Sequence, residues 1–490
     1  MDARAGPAGP PKKRRRARRA GLAAFAFISR SLQQISTFVI TLMAAGFLSP
    51  AEYGVYALGV VFIVLIQTMT YTGFYHFVIH SPENEVAVLS TSFWMIVGLA
   101  TAAAALLAAA AYPLGYVYDA PDLALVLILF ALVQPLAGAG AWCSATLLRR
   151  EKMMAHFGIM FAQNFVALIG GAVLLWLWQS LFALVAYRYL RVLTASVLYL
   201  IFTRDRPALQ FDRSLAYRAT GFSGGLYAAR FLTFLSRYSA DLLLGLFFST
   251  AESGLYRFGS RVATGATDVV SQPLSSFAHT RFGAAGREQR DLSVLLAKFV
   301  GTSTILVGGV VAVIMIFAPA VVNAFFDPAY LAAIPVAYAM AVRALLFNGS
   351  RFVEPTFSAR GQTWYVTRFD LWLTGATLVA VFATAPFGLL ILAWGQVAVA
   401  VLGVIVAFVL IQRHAEVDIG PVLRAFIFSL VVVVGYGVVT LGTWEAISAW
   451  IDIGARSNAA LGLAWAIGMS IPALFLAHRL RLVTLTIFSG

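Results

Sequence analysis

Residues 47–59 read FLSPAEYGVYALG, and residues 247–259 read FFSTAESGLYRFG. Seven of the thirteen positions coincide at an offset of 200: Phe47, Ser49, Ala51, Glu52, Gly54, Tyr56 and Gly59 return as Phe247, Ser249, Ala251, Glu252, Gly254, Tyr256 and Gly259. Composition alone would give about one such match, so the chain contains an internal repeat. The same offset pairs Arg30 with Arg230, Leu32 with Leu232 and Ser36 with Ser236, which carries the match back through the preceding segment. A weaker echo, shifted by 208, pairs Tyr118-Asp119 and Leu123-Ala124 with Phe326-Asp327 and Leu331-Ala332.

The sequence around these copies is too apolar for water. Of 490 residues, 61% are hydrophobic and 11% charged, where a soluble domain carries about 25% charged residues. Apolar stretches of about twenty residues recur along the chain, each long enough to cross a hydrocarbon core about 30 Å thick as a helix. Polar or Gly/Pro-marked breaks place helices near 22–48, 55–79, 91–112, 122–146, 157–178 and 181–203, then 222–248, 255–280, 299–325, 332–356, 369–386 and 389–412, and finally 425–446 and 459–478. The fold class expected is an all-α membrane protein of about fourteen transmembrane helices. Six helices separate the two copies, so both enter the membrane in the same direction. That predicts a basic tail (1–20), two six-helix lobes (21–204 and 218–413) related by an axis along the membrane normal with a cleft between them, and two further helices in 425–480.

The loop charges test this count, because alternate loops should carry Lys and Arg. One set holds Arg149, Arg150 and Lys152; Arg204, Arg206, Arg213 and Arg218; Arg287, Arg290 and Lys298; Arg360 and Arg368; Arg413 and Arg424; and Arg479 and Arg481. The opposite set, including 49–54, 113–122, 249–254 and 327–331, offers only Arg456. Both termini are therefore expected in the cytosol. The loop 81–90 carries only Glu83 and Glu85, and acidic residues weigh lightly in this rule. The run Lys12-Lys13-Arg14-Arg15-Arg16, with Arg18 and Arg19, has the look of a signal-peptide start. The apolar stretch behind it contains Arg30 and is repeated inside the chain, so it reads as a retained first helix with its tail against anionic headgroups.

The net charge of +14 does not indicate a nucleic-acid partner, since the basic residues lie between apolar segments and not in a patch interleaved with exposed aromatics. Cys143 is the only cysteine, which excludes a disulfide framework and a thiol metal cluster. His76, His80 and His279 show no ligand spacing, so neither metal nor cofactor is expected. Glu52 and Glu252 fall where they can cap the turn between helices.

Function should rest on charges that burial cannot explain. A charge at the bilayer centre costs at least about 2.5–3.5 kcal/mol, so several together must face protein or a wet cavity. Arg230, Arg237 and Asp241 fall in the seventh helix, Arg257, Arg261 and Asp268 in the eighth, and Arg343, Arg351 and Glu354 in the tenth; spacings of three, four, seven or eleven put each trio on one face. With Arg30, Arg188 and Arg191, nine arginines stand against three acids. Arg257 and Arg351 stand near helix ends, where a guanidinium can snorkel, and Arg237 and Asp241, four apart, are spaced as an ion pair. The surplus calls for an anion. Guanidinium matches phosphate oxygens in paired hydrogen bonds and stays charged at cellular pH, so a diphosphate is a suitable guest, with a lipid tail left in the bilayer. Arg30, Arg230, Arg237, Arg257, Arg261, Arg343 and Arg351 are the substrate-binding candidates.

The two copies of the repeat, with RYSADLLLGLFFSTAESGLYRFGSRVA (237–263) and IFAPAVVNAFFDPAYLAAIPVAYAMAVRALL (316–346), resemble the polysaccharide transporter family, the Wzx-like oligosaccharide flippases of the superfamily that also contains multidrug exporters and lipid II flippases. The resemblance covers nearly all of 21–480. It implies a fourteen-helix, two-lobe protein of the bacterial cytoplasmic membrane that flips undecaprenyl-diphosphate-linked oligosaccharide by alternating access, with membrane lipids and other polysaccharide assembly proteins as its partners. Asp241, Asp268 and Glu354 are then the candidates for ion coupling. A multidrug exporter would favour an acid-lined cavity, against the arginine excess. A polymerase or ligase of the same pathway would carry a large outward loop, and none here exceeds about a dozen residues; a transporter and not an enzyme is expected.

Overall fold

A computed structural model of the chain describes residues 12–81, 85–450 and 454–480, and among them every regular element is helical. Eleven helical segments are long and apolar enough to cross a membrane. In chain order the helices are α1 (Lys12–Phe47), α2 (Pro50–His80), α3 (Glu85–Val117), α4 (Pro121–Arg149), α5 (Met153–Trp178), α6 (Leu181–Phe202), α7 (Arg213–Phe247) and α8 (Thr250–Arg287). They continue as α9 (Ser293–Phe325), α10 (Pro328–Ala359), α11 (Thr363–Phe387), α12 (Leu389–His414), α13 (Ile419–Ser448) and α14 (Ala455–Arg479). The three that fall outside the apolar set are α1, α7 and α8, each 35 residues or longer and each carrying arginines on its membrane-length stretch. The chain is thus a multi-pass, all-helical membrane protein.

Several helices overrun the lengths expected from hydropathy. α1 is already helical at Lys12, the first described residue, and its Lys, Arg and Ala are good helix formers, so part of the tail expected over 1–20 is helical; residues 1–11, Glu83 and Arg481 lie outside the described residues. α2 is interrupted at Tyr71 and α4 at Val133, ahead of Pro135. α10 passes through a 3₁₀ stretch, Asn348–Phe352, where buried Ser303 of α9 donates to the Asn348 side chain at 2.6 Å.

The repeated turns are built alike. Ser49 caps α2 and Ser249 caps α8, each in a capping box. The Glu52 carboxylate accepts from the Ser49 backbone N–H at 3.0 Å, and Glu252 from Ser249 at 2.9 Å. Both glutamates therefore cap, as their position suggested, which satisfies backbone donors that would otherwise be orphaned.

The two lobes meet through these turns. α2 runs along α7 and α8, and α1 along α8. At the crossing, a Cβ added to Gly54 would overlap the Thr250 carbonyl oxygen, and one added to Gly254 would overlap the Pro50 carbonyl oxygen. The contact is reciprocal between the two copies of the repeat, and only glycine permits backbones this close. A mixed core from both lobes surrounds it: Ile40, Ala44, Leu48 and Tyr53 pack with Phe258, Tyr330 and Ile334. Tyr330 donates to the Leu48 carbonyl at 3.2 Å, and Tyr118 to the Leu242 carbonyl at 3.3 Å. The molecule is consequently sealed at the end bearing the Ser49 and Ser249 turns. α13 and α14 pack on α9, away from this seam.

Candidate anion-binding site

Beneath the crossing, helix rise of 1.5 Å per residue sets a common depth. Arg188 and Arg191 on α6, and Arg257 and Arg261 on α8, stand about 10 to 17 Å from the turn end of their helices. Their side chains converge from opposite lobes on one chamber, lined also by Thr37 and Thr41 of α1, Tyr53 and Tyr56 of α2, and Tyr187 of α6. Its empty space is about 520 Å³, the open mouth included.

The charge of the chamber is unbalanced. Asp241 of α7 forms a buried ion pair with Arg257, whose guanidinium also lies over the Tyr238 ring at 5.4 Å. The pairing of Asp241 with Arg237 that their spacing allowed is not the one formed: Asp241 is buried against α8, whereas Arg237 is exposed. No carboxylate among the described residues pairs with Arg188, Arg191 or Arg261. Tyr56 lies within hydrogen-bonding reach of Arg188, Tyr187 within reach of Arg191, and Arg188 sits over the Phe130 ring at 5.5 Å. Neutral hydroxyls and a ring face steady the Arg188 and Arg191 guanidiniums without an opposing charge.

The remaining candidates divide by place. Arg230 and Arg237 are exposed on α7, further from the sealed end than Asp241, and Arg230 lies in electrostatic reach of His76 on α2. Arg30 is exposed and over the Phe157 ring of α5 at 5.8 Å. Arg351 pairs with Asp268 at 3.1 Å. Glu354 is exposed and 3.9 Å from His279. Arg343 opens on a different, smaller pocket within the C-terminal lobe that shares no lining residue with the chamber. Each of the three acidic candidates thus lies beside a basic side chain, and the seven arginine candidates do not form one wall. Arg188 and Arg191 belong to the chamber as fully as Arg257 and Arg261; their spacing of three on α6, behind Tyr187, was the available signal. The tyrosines were missed, since a Tyr in an apolar helix reads as packing.

The family described as "Polysaccharide biosynthesis protein" matches residues 43–335, more than half of the chain. The chain belongs to this family. A curated relative, the succinoglycan biosynthesis transport protein ExoT of Rhizobium meliloti (strain 1021), is 22% identical over 268 residues, which is 54% of this chain and 54% of that protein; the match spans about half the length of the relative. Among solved structures, the chain is similar to lipid II flippase MurJ in an inward closed conformation, with TM-score 0.70 at 10% identity over 94% of this chain and 98% of that one. It is less similar to the Vibrio cholerae MATE transporter VcmN, with TM-score 0.53 at 14% identity over 81% of this chain and 98% of that one. At these identities the likeness speaks for the fold alone.

Proposed function

We propose that the protein is a flippase of the bacterial cytoplasmic membrane, carrying a lipid-diphosphate-linked oligosaccharide of the undecaprenyl type across the bilayer for surface polysaccharide assembly. The observation that carries the reading is the chamber shared by Arg188, Arg191, Arg257 and Arg261, with three guanidiniums unmatched by carboxylate among the described residues. A diphosphate neutralises such a set through bidentate hydrogen bonds. The polyprenyl tail has no need to enter, because it is at home in the acyl phase. Family membership and the succinoglycan transport relative support a polysaccharide substrate.

In this reading the sealed end faces the periplasm, as the loop charges indicate, and the substrate enters from the cytosolic side. Arg30, Arg230 and Arg237, exposed along α1 and α7, draw the anionic head toward the chamber. Separation of the two glycine-crossed turns then releases it outward. Asp241 and Asp268, held by Arg257 and Arg351, are the groups whose partners an arriving anion would compete for.

The reading is tested by export. Arg188→Ala, Arg191→Ala and Arg261→Ala should each lower surface polysaccharide at least about tenfold, the loss of one charge-assisted contact, with membrane abundance unchanged. Normal export by all three variants rules out this chamber as the substrate path.

A further inference from the structure

We propose that the C-terminal lobe holds a second anion site, built on Arg343 and sized for a single small monovalent anion such as a halide. Its pocket is lined by Ser236 of α7, Arg343 and Phe347 of α10, Leu373 and Thr377 of α11, and Gln396 of α12. The lining contains one cation and no carboxylate. Arg343 forms no ion pair among the described residues, and its guanidinium lies 5.9 Å from the Phe347 ring centre. Arg237 and Arg351 stand in electrostatic reach of it. Arg351 is offset by Asp268, whereas Arg237 has no carboxylate partner among the described residues. The potential in the pocket is therefore positive, and the Ser236 hydroxyl and the guanidinium face it with donors.

Size selects the occupant. The enclosed cavity is about 20 Å³, room for one water, against about 60 Å³ for the central chamber. Apolar side chains from α11 and α12 close around it, so the enclosed room suits one water-sized group and not a diphosphate or a sugar.

The internal repeat shows that this site is not a copy of the chamber. The offset of 208 that carries Leu123-Ala124 onto Leu331-Ala332 also carries Leu181, the first residue of α6, onto Leu389, the first of α12, and Arg188 onto Gln396. The offset of 200 carries Tyr56 onto Tyr256. In the N-terminal lobe Tyr56 reaches Arg188 and the couple opens on the chamber. In the C-terminal lobe the Gln396 amide donates to the Tyr256 hydroxyl. That couple is neutral, and the positive charge comes instead from Arg343 on α10. Both lobes thus offer arginines to the shared chamber, and the C-terminal one has a further arginine, Arg343, at an inner pocket.

The test uses the full chain purified in detergent and needs no transport, so it is independent of the flippase reading. Melting temperature is followed as chloride, bromide or iodide replaces gluconate at constant ionic strength, with sulfate and phosphate in parallel. Halides should stabilise saturably, Arg343→Gln should weaken their apparent affinity by about tenfold or more, Arg343→Lys should retain part of it, and Arg424→Gln, at an exposed site on α13 that lines neither pocket, should respond as the unmodified protein does. The proposal is overturned if halides give no shift beyond gluconate, if Arg343→Gln keeps the full response, or if sulfate or phosphate stabilises through Arg343 better than halides do. Should Arg343→Gln not fold, Ser236→Ala combined with Thr377→Val reads the same pocket: a halide affinity weakened about threefold or more supports the site, and an unchanged affinity sinks it.

Discussion

At Gly54 and Gly254 a single methyl group would be felt by both lobes. Each stands where a Cβ would overlap a carbonyl oxygen of the facing turn, so Gly54→Ala or Gly254→Ala must push α2 and α8 apart. Overpacking of this kind costs about 1–3 kcal/mol. The expected outcome is a lower melting temperature in detergent, together with faster thiol labelling of a cysteine introduced by Thr41→Cys, a position 7% exposed in the chamber wall. Unchanged melting and labelling would mean that the crossing is not what seals this end. The two glycines were legible as a repeated residue. Their mutual contact was not, because it depends on how two segments 200 residues apart are placed. The chamber residues divide the same way: the guanidiniums announced themselves as charges in apolar helices, while Tyr56 and Tyr187 acquire a role only from the arginines beside them.

At the scale of elements, α7 and α8 hold most of the chemistry, and they are two of the three helices too polar to be recognised as spans by apolarity. Sequence reasoning placed them between polar or Gly/Pro-marked breaks, and the repeat and the loop charges, which do not depend on hydropathy, supported that placement. It did not resolve which acid partners which arginine, since Asp241 and Arg237 share a helix face whereas Asp241 and Arg257 meet across a turn. The buried pair makes a definite prediction. Asp241→Ala and Arg257→Ala each strand a buried charge and should each cost about 3–5 kcal/mol, whereas Asp241→Leu combined with Arg257→Met removes both and should recover most of the loss. Thermal unfolding of the four proteins measures this; additive losses in the double variant would show that the pair is not coupled.

For the whole molecule, an all-helical membrane protein of about fourteen helices was legible from the spacing of apolar stretches; the parallel relation of the halves is what spacing and loop charge lead one to expect, because six helices between copies fixes their relative direction. The partition of the arginines between a shared chamber and an inner pocket did not follow, since helix periodicity gives a face and not the neighbour it meets. The orientation reading can be checked directly. Cysteines introduced by Ser49→Cys and Ser249→Cys should both react with an impermeant thiol reagent added from the periplasm, and one introduced by Glu288→Cys, in the basic loop after α8, should not. Labelling of only one of the first two would break the parallel arrangement of the halves.

The Asp241–Arg257 couple also bears on how the chain gets into the bilayer. These side chains sit on consecutive helices joined by the Ser249 turn, so this one pair can neutralise itself while the hairpin is being made. Neither helix would partition well alone, since one bare charge at mid-depth costs about 2.5–3.5 kcal/mol on insertion scales. The order of synthesis therefore matters: α7 has to wait for α8, and a ribosome pausing between them would leave a carboxylate stranded in the channel. The two single variants of that couple should accordingly accumulate less protein in the membrane fraction than the double one.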